Sequence, residues 1–193
     1  MKRSTIIYGG AFNPPTRAHA AILEAICRYA RRIDAEVWLL PSGERNDKTI
    51  QQTSEVRMRY LEALKRDLGR VGQFVHVETS ELFRPNSTET IDTVKELATR
   101  WPEREFIWVF GSDSVLTMHS WRQGKFLYEC LPKIIVMRPG YTLSQLPPSS
   151  FVLSVRTPEM SSTLLREAMA SGADYSSFVT PNVARAIAAT IRT

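Results

Sequence analysis

A glycine pair joins an apolar run to a strongly periodic segment near the start of the chain. The run is Ile6-Ile7-Tyr8, the pair is Gly9-Gly10, and apolar residues then recur every three to four positions from about Ala18 to Arg32. The apolar run predicts a strand, and the spacing predicts a helix with one buried face. The chain therefore begins with a strand, a tight loop and a helix, which is the opening unit of an α/β fold.

The rest of the sequence repeats this alternation. Near-continuous apolar runs are typical of parallel strands that are covered on both faces. We expect strands at about 4–8, 36–40, 74–78, 105–110, 133–137 and 151–153, and helices at about 18–32, 88–99, 160–171 and from 181 onward. A further helix begins at an N-cap, Ser54, with Arg57 and Met58 among the positions at helical spacing. This order predicts one domain over residues 1–193, an α/β fold with a Rossmann-like doubly wound parallel sheet, helices on both faces and C-terminal helices.

Thr16 and His19 lie where the first helix is expected to begin. A helix N-terminus favours anions, because its first N–H groups lack partners and the helix dipole is positive there. The glycine pair, the hydroxyl of Thr16 and the imidazole of His19 together indicate a phosphate site at this helix start. The loop lacks both G-x-G-x-x-G and G-x-x-x-x-G-K-[ST], and a glycine pair alone also fits a plain tight turn.

A second group of hydroxyl residues, Ser161-Ser162-Thr163, begins a later predicted helix, and Arg166 follows one turn on. Hydroxyl side chains at a helix start cap free N–H groups. The same groups can hold a phosphate, which an arginine can bind in a bidentate manner. The alternative is a capped helix with a solvated arginine.

Together the two elements resemble the signature of the nucleotidyltransferase superfamily, a glycine pair with (H/T)-x-G-H and a later I-S-S-T-x-x-R. Ala18 replaces the usual glycine and Met160 the isoleucine. Other segments resemble the nicotinate or nicotinamide mononucleotide adenylyltransferases, and residues 41–48 stand where that family has P-x-x-x-P-H-K. The segments are Thr90-Ile91-Asp92-Thr93-Val94, Gly111-Ser112-Asp113-Ser114, His119-Ser120-Trp121 and Val136-Met137-Arg138-Pro139-Gly140.

This resemblance implies an adenylyl transfer from ATP to a pyridine mononucleotide, which yields an NAD-type dinucleotide and pyrophosphate. An in-line attack by the mononucleotide phosphate needs no protein nucleophile, so positioning and charge neutralisation supply most of the acceleration. Mg²⁺ is expected to arrive with ATP, and no protein metal site is expected. The implied catalytic residues are Thr16, His19 and Arg166; those for ATP are Gly9, Gly10, Phe12, Asp113, Ser161 and Ser162; those for the mononucleotide are Lys48, Thr90, Asp92, Trp121 and Arg138.

One departure from the family concerns the choice of pyridine. An aromatic residue usually precedes the threonine that corresponds to Thr90, whereas Glu89 stands there in this chain. A carboxylate repels a pyridine carboxylate and can accept a hydrogen bond from a carboxamide. Glu89 therefore favours nicotinamide mononucleotide, or use of both, over strict nicotinate specificity.

Charge and apolar content limit the remaining alternatives. The net charge of +5 suits nucleic acid or small anions, but the sequence has no block of five lysines and arginines, so no nucleic-acid partner is expected. It also has no apolar segment long enough for a membrane, so we expect the cytoplasm and make no prediction of oligomeric state. Another transferase of the superfamily, such as a phosphopantetheine adenylyltransferase or a cytidylyltransferase, a regulator that has lost catalysis, and a basic RNA-binding domain stay open.

Overall fold

A computed structural model of the chain describes residues 2–43, 50–84, 86–87, 89–158 and 162–191. Within these residues, six strands alternate with seven α-helices. The strands are β1 (Arg3–Gly10), β2 (Glu36–Pro41), β3 (Val75–Val77), β4 (Arg104–Gly111), β5 (Lys133–Val136) and β6 (Ser150–Val152). The helices are α1 (Arg17–Arg32), α2 (Ser54–Asp67), α3 (Thr90–Arg100), α4 (Ser112–Thr117), α5 (Gly124–Glu129), α6 (Ser162–Ser171) and α7 (Pro181–Ile191).

The strands form one parallel sheet in the order β3-β2-β1-β4-β5-β6. The chain runs from β1 outward to β3, and then returns to the other side of β1 with β4. The predicted doubly wound sheet is confirmed. In such sheets ligands bind beyond the carboxyl ends of the strands where the order reverses, which here is between β1 and β4.

Both faces of the sheet are covered by helices, as predicted. Adjacent residues of β1 belong to different cores: Ile6 packs in the core that α1, α2, α6 and α7 share, whereas Ile7 packs in the core that α3, α4 and α5 share. Each central strand therefore buries both of its faces. This double burial explains why its sequence is apolar without alternation.

Two local predictions are wrong. Ser54 is the first residue of α2 and not its N-cap, and its hydroxyl donates to the Leu82 carbonyl at 2.8 Å. Thr53 is the N-cap, because its extended backbone lets its Oγ1 accept from the Val56 N–H at 3.4 Å. Phe74 lies in a short 3₁₀ turn before β3 and is 81% exposed, so the third strand is shorter than expected.

One carboxylate ties the last helix, α7, to α2. Asp67, at the end of α2, accepts hydrogen bonds from the backbone N–H and side-chain amide of Asn182 and from the Val183 N–H, at 2.8–3.2 Å. An acid from one helix thus satisfies the first N–H groups of another, where negative charge is favoured. In the described part of the chain, no helix combines the length and apolarity that crossing a bilayer requires.

Candidate active site

The first loop begins where β1 ends at the switch point of the sheet. Gly9 and Gly10 are the last residues of β1 and pair with β2, so they form the strand end and not the loop itself. A Cβ on Gly10 would lie only 3.1 Å from the ring of Phe12. Glycine at this position therefore lets the loop fold back closely onto the strand.

Phe12 fixes the direction of the loop. It is 1% exposed and its φ of +45° lies in the left-handed region. Its ring packs edge-on against Tyr8 and lies 5.3 Å from the ring of His19. A backbone turn of this kind can direct successive N–H groups to one side, which is how loops bind anions.

Side chains from distant elements donate hydrogen bonds to three carbonyl oxygens of this loop. Two of the donors, Ser162 and Arg166, were predicted to hold phosphate, and the third, Arg57, was not. The sequence elements from opposite ends of the chain are therefore in direct contact, 148 and 153 residues apart. The pairs are Arg57 with Ala11 at 2.9 Å, Arg166 with Asn13 at 3.0 Å and Ser162 with Pro14 at 3.0 Å.

His19 is a neutral hydrogen-bond donor in this geometry. Its Nδ1 lies 3.0 Å from the backbone N of Thr16 and 2.9 Å from the Thr16 hydroxyl. A backbone N–H can only donate, so Nδ1 is unprotonated and the neutral ring carries its proton on Nε2. Burial first, and the positive charge of Arg138 second, lower the pKa of His19 to about 4. At neutral pH the ring therefore offers one N–H donor and no charge.

The end of β4 carries an ion pair between two predicted site residues. Asp113 Oδ1 lies 3.2 Å from the Nε of Arg138, and the Arg138 N–H donates to the hydroxyl of buried Ser112 at 2.9 Å. A Cβ on Gly111 would lie 2.3 Å from that carboxylate oxygen and 2.7 Å from that nitrogen. Because Gly111 has no side chain, it leaves space for the ion pair between Asp113 and Arg138. Since Arg138 also lowers the pKa of His19, its charge reaches the first loop.

Two of the residues predicted for the mononucleotide, Thr90 and Asp92, lie at the start of α3, where Thr90 is the first helical residue. Asp92 accepts the Glu89 N–H at 3.2 Å and pairs with Arg122, whose hydrogen bond holds the pKa of the Asp92 carboxyl below its usual range. Trp121 is partly buried and packs edge-on against Phe110 at 6.1 Å. Arg122 was not predicted, because its partner is distant in the sequence.

A cleft of about 470 Å³ opens beside Arg138, at the carboxyl ends of β5 and β6. Met137 and residues 152–156 line it. Its size lies in the range of small-molecule sites. None of the predicted site residues lines this cleft, and apart from the predicted strand ends no sequence pattern indicated it.

Two predicted site residues, Lys48 and Ser161, lie outside the described residues, and their roles stay predictions. Among residues that the structure does describe, no three His, Cys, Asp or Glu side chains are grouped so that they could hold a metal ion. Cys27 is a buried free thiol, and burial raises its pKa to about 11, which keeps it protonated.

Comparison with known proteins finds a family and relatives that match most of this chain. A sequence model of the family described as "Cytidylyltransferase-like" matches residues 7–168. A protein of Bacteroides fragilis is 30% identical over 190 residues, which are 96% of this chain and 92% of that protein. A protein of Shouchella clausii is 33% identical over 187 residues, which are 97% of this chain and 94% of that protein. Both bear the name "Probable nicotinate-nucleotide adenylyltransferase".

Solved structures share the fold. The nicotinic acid mononucleotide adenylyltransferase of Plasmodium falciparum complexed with NaAD superposes with a TM-score of 0.83, over 97% of this chain and 96% of that one, at 21% identity. The same Plasmodium enzyme complexed with APC gives a TM-score of 0.79 at 19% identity, over 98% and 96% of the two chains. At such identities the likeness concerns the arrangement of strands and helices.

The buried neutral His19 should make the fold less stable in acid. Its pKa is about 4 in the fold and 6.5 in the free side chain. Between these values the unfolded chain binds a proton that the folded chain does not, so the free energy of unfolding falls as the pH falls, by roughly 2 kcal/mol. Urea unfolding from pH 7 to 4.5 should show this loss in the wild type and a smaller one in His19→Gln. Equal pH dependence in both proteins would contradict the buried neutral ring.

Proposed function

This chain belongs to the cytidylyltransferase-like family and, within it, to the nicotinate-nucleotide adenylyltransferases, and we propose that it joins ATP to nicotinate mononucleotide. Its reaction is an adenylyl transfer between small molecules in NAD biosynthesis. One observation supports the assignment of the active site above the others. The loop after β1 and the start of α6 touch through Arg166 and Ser162 at the switch point of the sheet.

The triphosphate of ATP lies, in our proposal, on the loop after β1. The mononucleotide phosphate attacks the α-phosphorus in line: one P–O bond forms, the bond from the α-phosphorus to the α,β-bridging oxygen breaks, and pyrophosphate leaves with the electron pair. The Nε2–H of His19 donates to the oxygen on which charge grows. A neutral donor fixed by Thr16 can stabilise that charge without reorganising.

Arg166 and the backbone N–H of Ser162 hold the outer phosphates in this arrangement, because the single hydroxyl proton of Ser162 is donated to Pro14. Arg166 uses Nη1 on Asn13 and Nη2 on Thr163, at 3.0 and 3.1 Å. A guanidinium has five N–H donors, so several remain for phosphate oxygens. We propose that Mg²⁺ enters with ATP, since it binds substrate phosphates through few protein ligands, and that the reaction takes place in the cytoplasm.

The two nucleosides lie on opposite sides of the phosphates. We assign adenosine to the side of Asp113, with the base in the cleft beside Met137. This cleft of about 470 Å³ has both apolar and polar lining residues, which suits an aromatic ring system that carries polar nitrogens. The mononucleotide takes the side of Thr90 and Asp92, with its pyridine ring on Trp121. Arg138, which was predicted for the mononucleotide, pairs with Asp113 on the adenosine side, and its positive charge also acts on His19.

The choice of pyridine depends on the charges at the start of α3, where Arg122 pairs with Asp92 and Glu89 is the N-cap. The names of the relatives support nicotinate, and the partly exposed guanidinium of Arg122 would attract its carboxylate. The exposed Glu89, at the N-cap of α3, has the opposite effect and favours nicotinamide as the second candidate. The two substrates differ only in this group, so the balance of the charges sets the preference.

Product formation tests the proposed reaction. Purified protein with ATP, Mg²⁺ and nicotinate mononucleotide should release pyrophosphate and form the dinucleotide in equal amounts. Phosphopantetheine as the acceptor, or CTP as the donor, should support little turnover. Turnover with phosphopantetheine alone would favour the other branch of the superfamily, and binding of both nucleotides without pyrophosphate release would indicate a regulator.

Glu89 and Arg122 should shift the preference in opposite directions. Glu89→Gln should raise kcat/KM for nicotinate mononucleotide relative to nicotinamide mononucleotide, by roughly threefold to tenfold, because a like charge is removed near the substrate carboxylate. Arg122→Met should lower the same ratio. Glu103→Gln, an exposed acid before β4, is the control. Ratios that stay at the wild-type value in both variants would show that neither side chain selects the pyridine.

His19→Ala should lower kcat by roughly 10²–10³, the scale for losing one donor to a developing charge. His76→Ala is the matched control, because His76 lies on the edge strand β3 with its side chain 53% exposed. The control should keep wild-type turnover. Steady-state rates at saturating substrates measure both variants, and an unchanged kcat in His19→Ala would refute the phosphate role of this residue.

A further inference from the structure

A buried arginine supports the first loop from within the fold. Arg57 lies on α2 and is 2% exposed. Its Nε donates to the Ala11 carbonyl at 2.9 Å, and its Nη2 donates to the Ser42 carbonyl. Burying a guanidinium is costly unless its donors find acceptors. Burial lowers the pKa of Arg57 to about 10, and the nearby charge of Glu81 opposes that shift.

The Ala11 carbonyl determines which way the neighbouring amide points. A trans peptide unit is planar, with its C=O and N–H directed to opposite sides. Since Arg57 holds the Ala11 oxygen on the buried side, the N–H of Phe12 is directed to the open side of the loop. If this peptide turned over, it would present a negative oxygen to a phosphate in place of a positive N–H.

The second hydrogen bond of Arg57, to the Ser42 carbonyl, connects it to the chain that follows the neighbouring strand β2. Ser42 directly follows β2, and its N–H donates to the Gly10 carbonyl at 2.9 Å. A Cβ on the next residue, Gly43, would lie 2.3 Å from the Glu81 carbonyl, so this segment is tightly packed. Arg57 therefore joins the chain after β1 to the chain after β2, and holds both at the edge of the sheet where ligands bind.

We propose that Arg57 is a positioning residue for adenylyl transfer, which keeps the Phe12 N–H directed at the triphosphate without touching substrate itself. This inference depends on the proposed function, because it takes the loop after β1 as the triphosphate site. It assigns to the buried charge a role that an apolar side chain of similar volume cannot fill.

Arg57→Met and Arg57→Lys test the proposal, with Arg104→Met as the matched control. Arg104 is also largely buried and bonds Thr5 and Glu36, but it lies at the amino end of β4, away from the site. All three variants should have a lower Tm. Arg57→Met should raise KM for ATP and the Kd of a nonhydrolysable ATP analogue, each by roughly tenfold, because the loop loses a hydrogen bond that directs its donor. Arg104→Met should leave both constants at the wild-type value.

Kinetic constants are measured per folded molecule, well below each Tm. The lysine variant keeps a cation that can reach one carbonyl, so its KM for ATP should fall between those of the wild type and Arg57→Met. If the KM for ATP and the Kd of the analogue stay at their wild-type values in Arg57→Met, the proposal is overturned, because a purely structural role of Arg57 predicts that result. If Arg57→Met does not fold, Arg57→Lys decides, and an unchanged KM for ATP there overturns it equally.

The same experiment separates this inference from the proposed function. If the wild type binds the ATP analogue but forms no dinucleotide, the proposed reaction fails, and weaker analogue binding by Arg57→Met still supports the role of Arg57 in the loop. If the wild type is active and Arg57→Met keeps normal affinity and rate, only the role of Arg57 fails.

Discussion

The site depends on the hydrogen bonds that hold the carbonyl oxygens of the loop after β1. Arg57, Ser162 and Arg166 donate to these oxygens from two different helices. This loop carries more carbonyl groups than N–H groups, because Pro14 and Pro15 have no N–H, and an anion binds only where N–H groups prevail. Because the three side chains bind the carbonyl oxygens, the N–H groups of the loop and the positive N-terminus of α1 are left on the open side.

This arrangement also explains the electrostatic state of His19. The Thr16 N–H occupies Nδ1, and burial with the nearby charge of Arg138 keeps the ring neutral. The positive charges come instead from Arg138 and Arg166, which are not expected to exchange protons with substrate. The mechanism that we propose therefore separates two tasks: arginines supply charge, and the imidazole supplies one directed N–H that does not change its protonation state during the reaction.

The sequence predicted the class of the fold because the alternation of apolar runs and periodic segments is a local pattern. Through the resemblance of their two segments to the superfamily signature, it also predicted that Thr16, His19 and Arg166 act together. It could not identify Arg57, because helical periodicity places a residue on the buried face without showing that its guanidinium reaches a loop. The pairing of Arg122 with Asp92 and the cleft beside Met137 arise only from the tertiary arrangement.

A crystal structure of this chain with a nonhydrolysable ATP analogue and Mg²⁺ would test the central claim most directly. The account predicts phosphate oxygens within hydrogen-bonding distance of the Phe12 N–H, the Nε2 of His19 and the guanidinium of Arg166. It also predicts that Ala11 keeps its bond to Arg57. A triphosphate bound elsewhere, or an Ala11–Phe12 peptide that turns its carbonyl oxygen toward the phosphates, would contradict it.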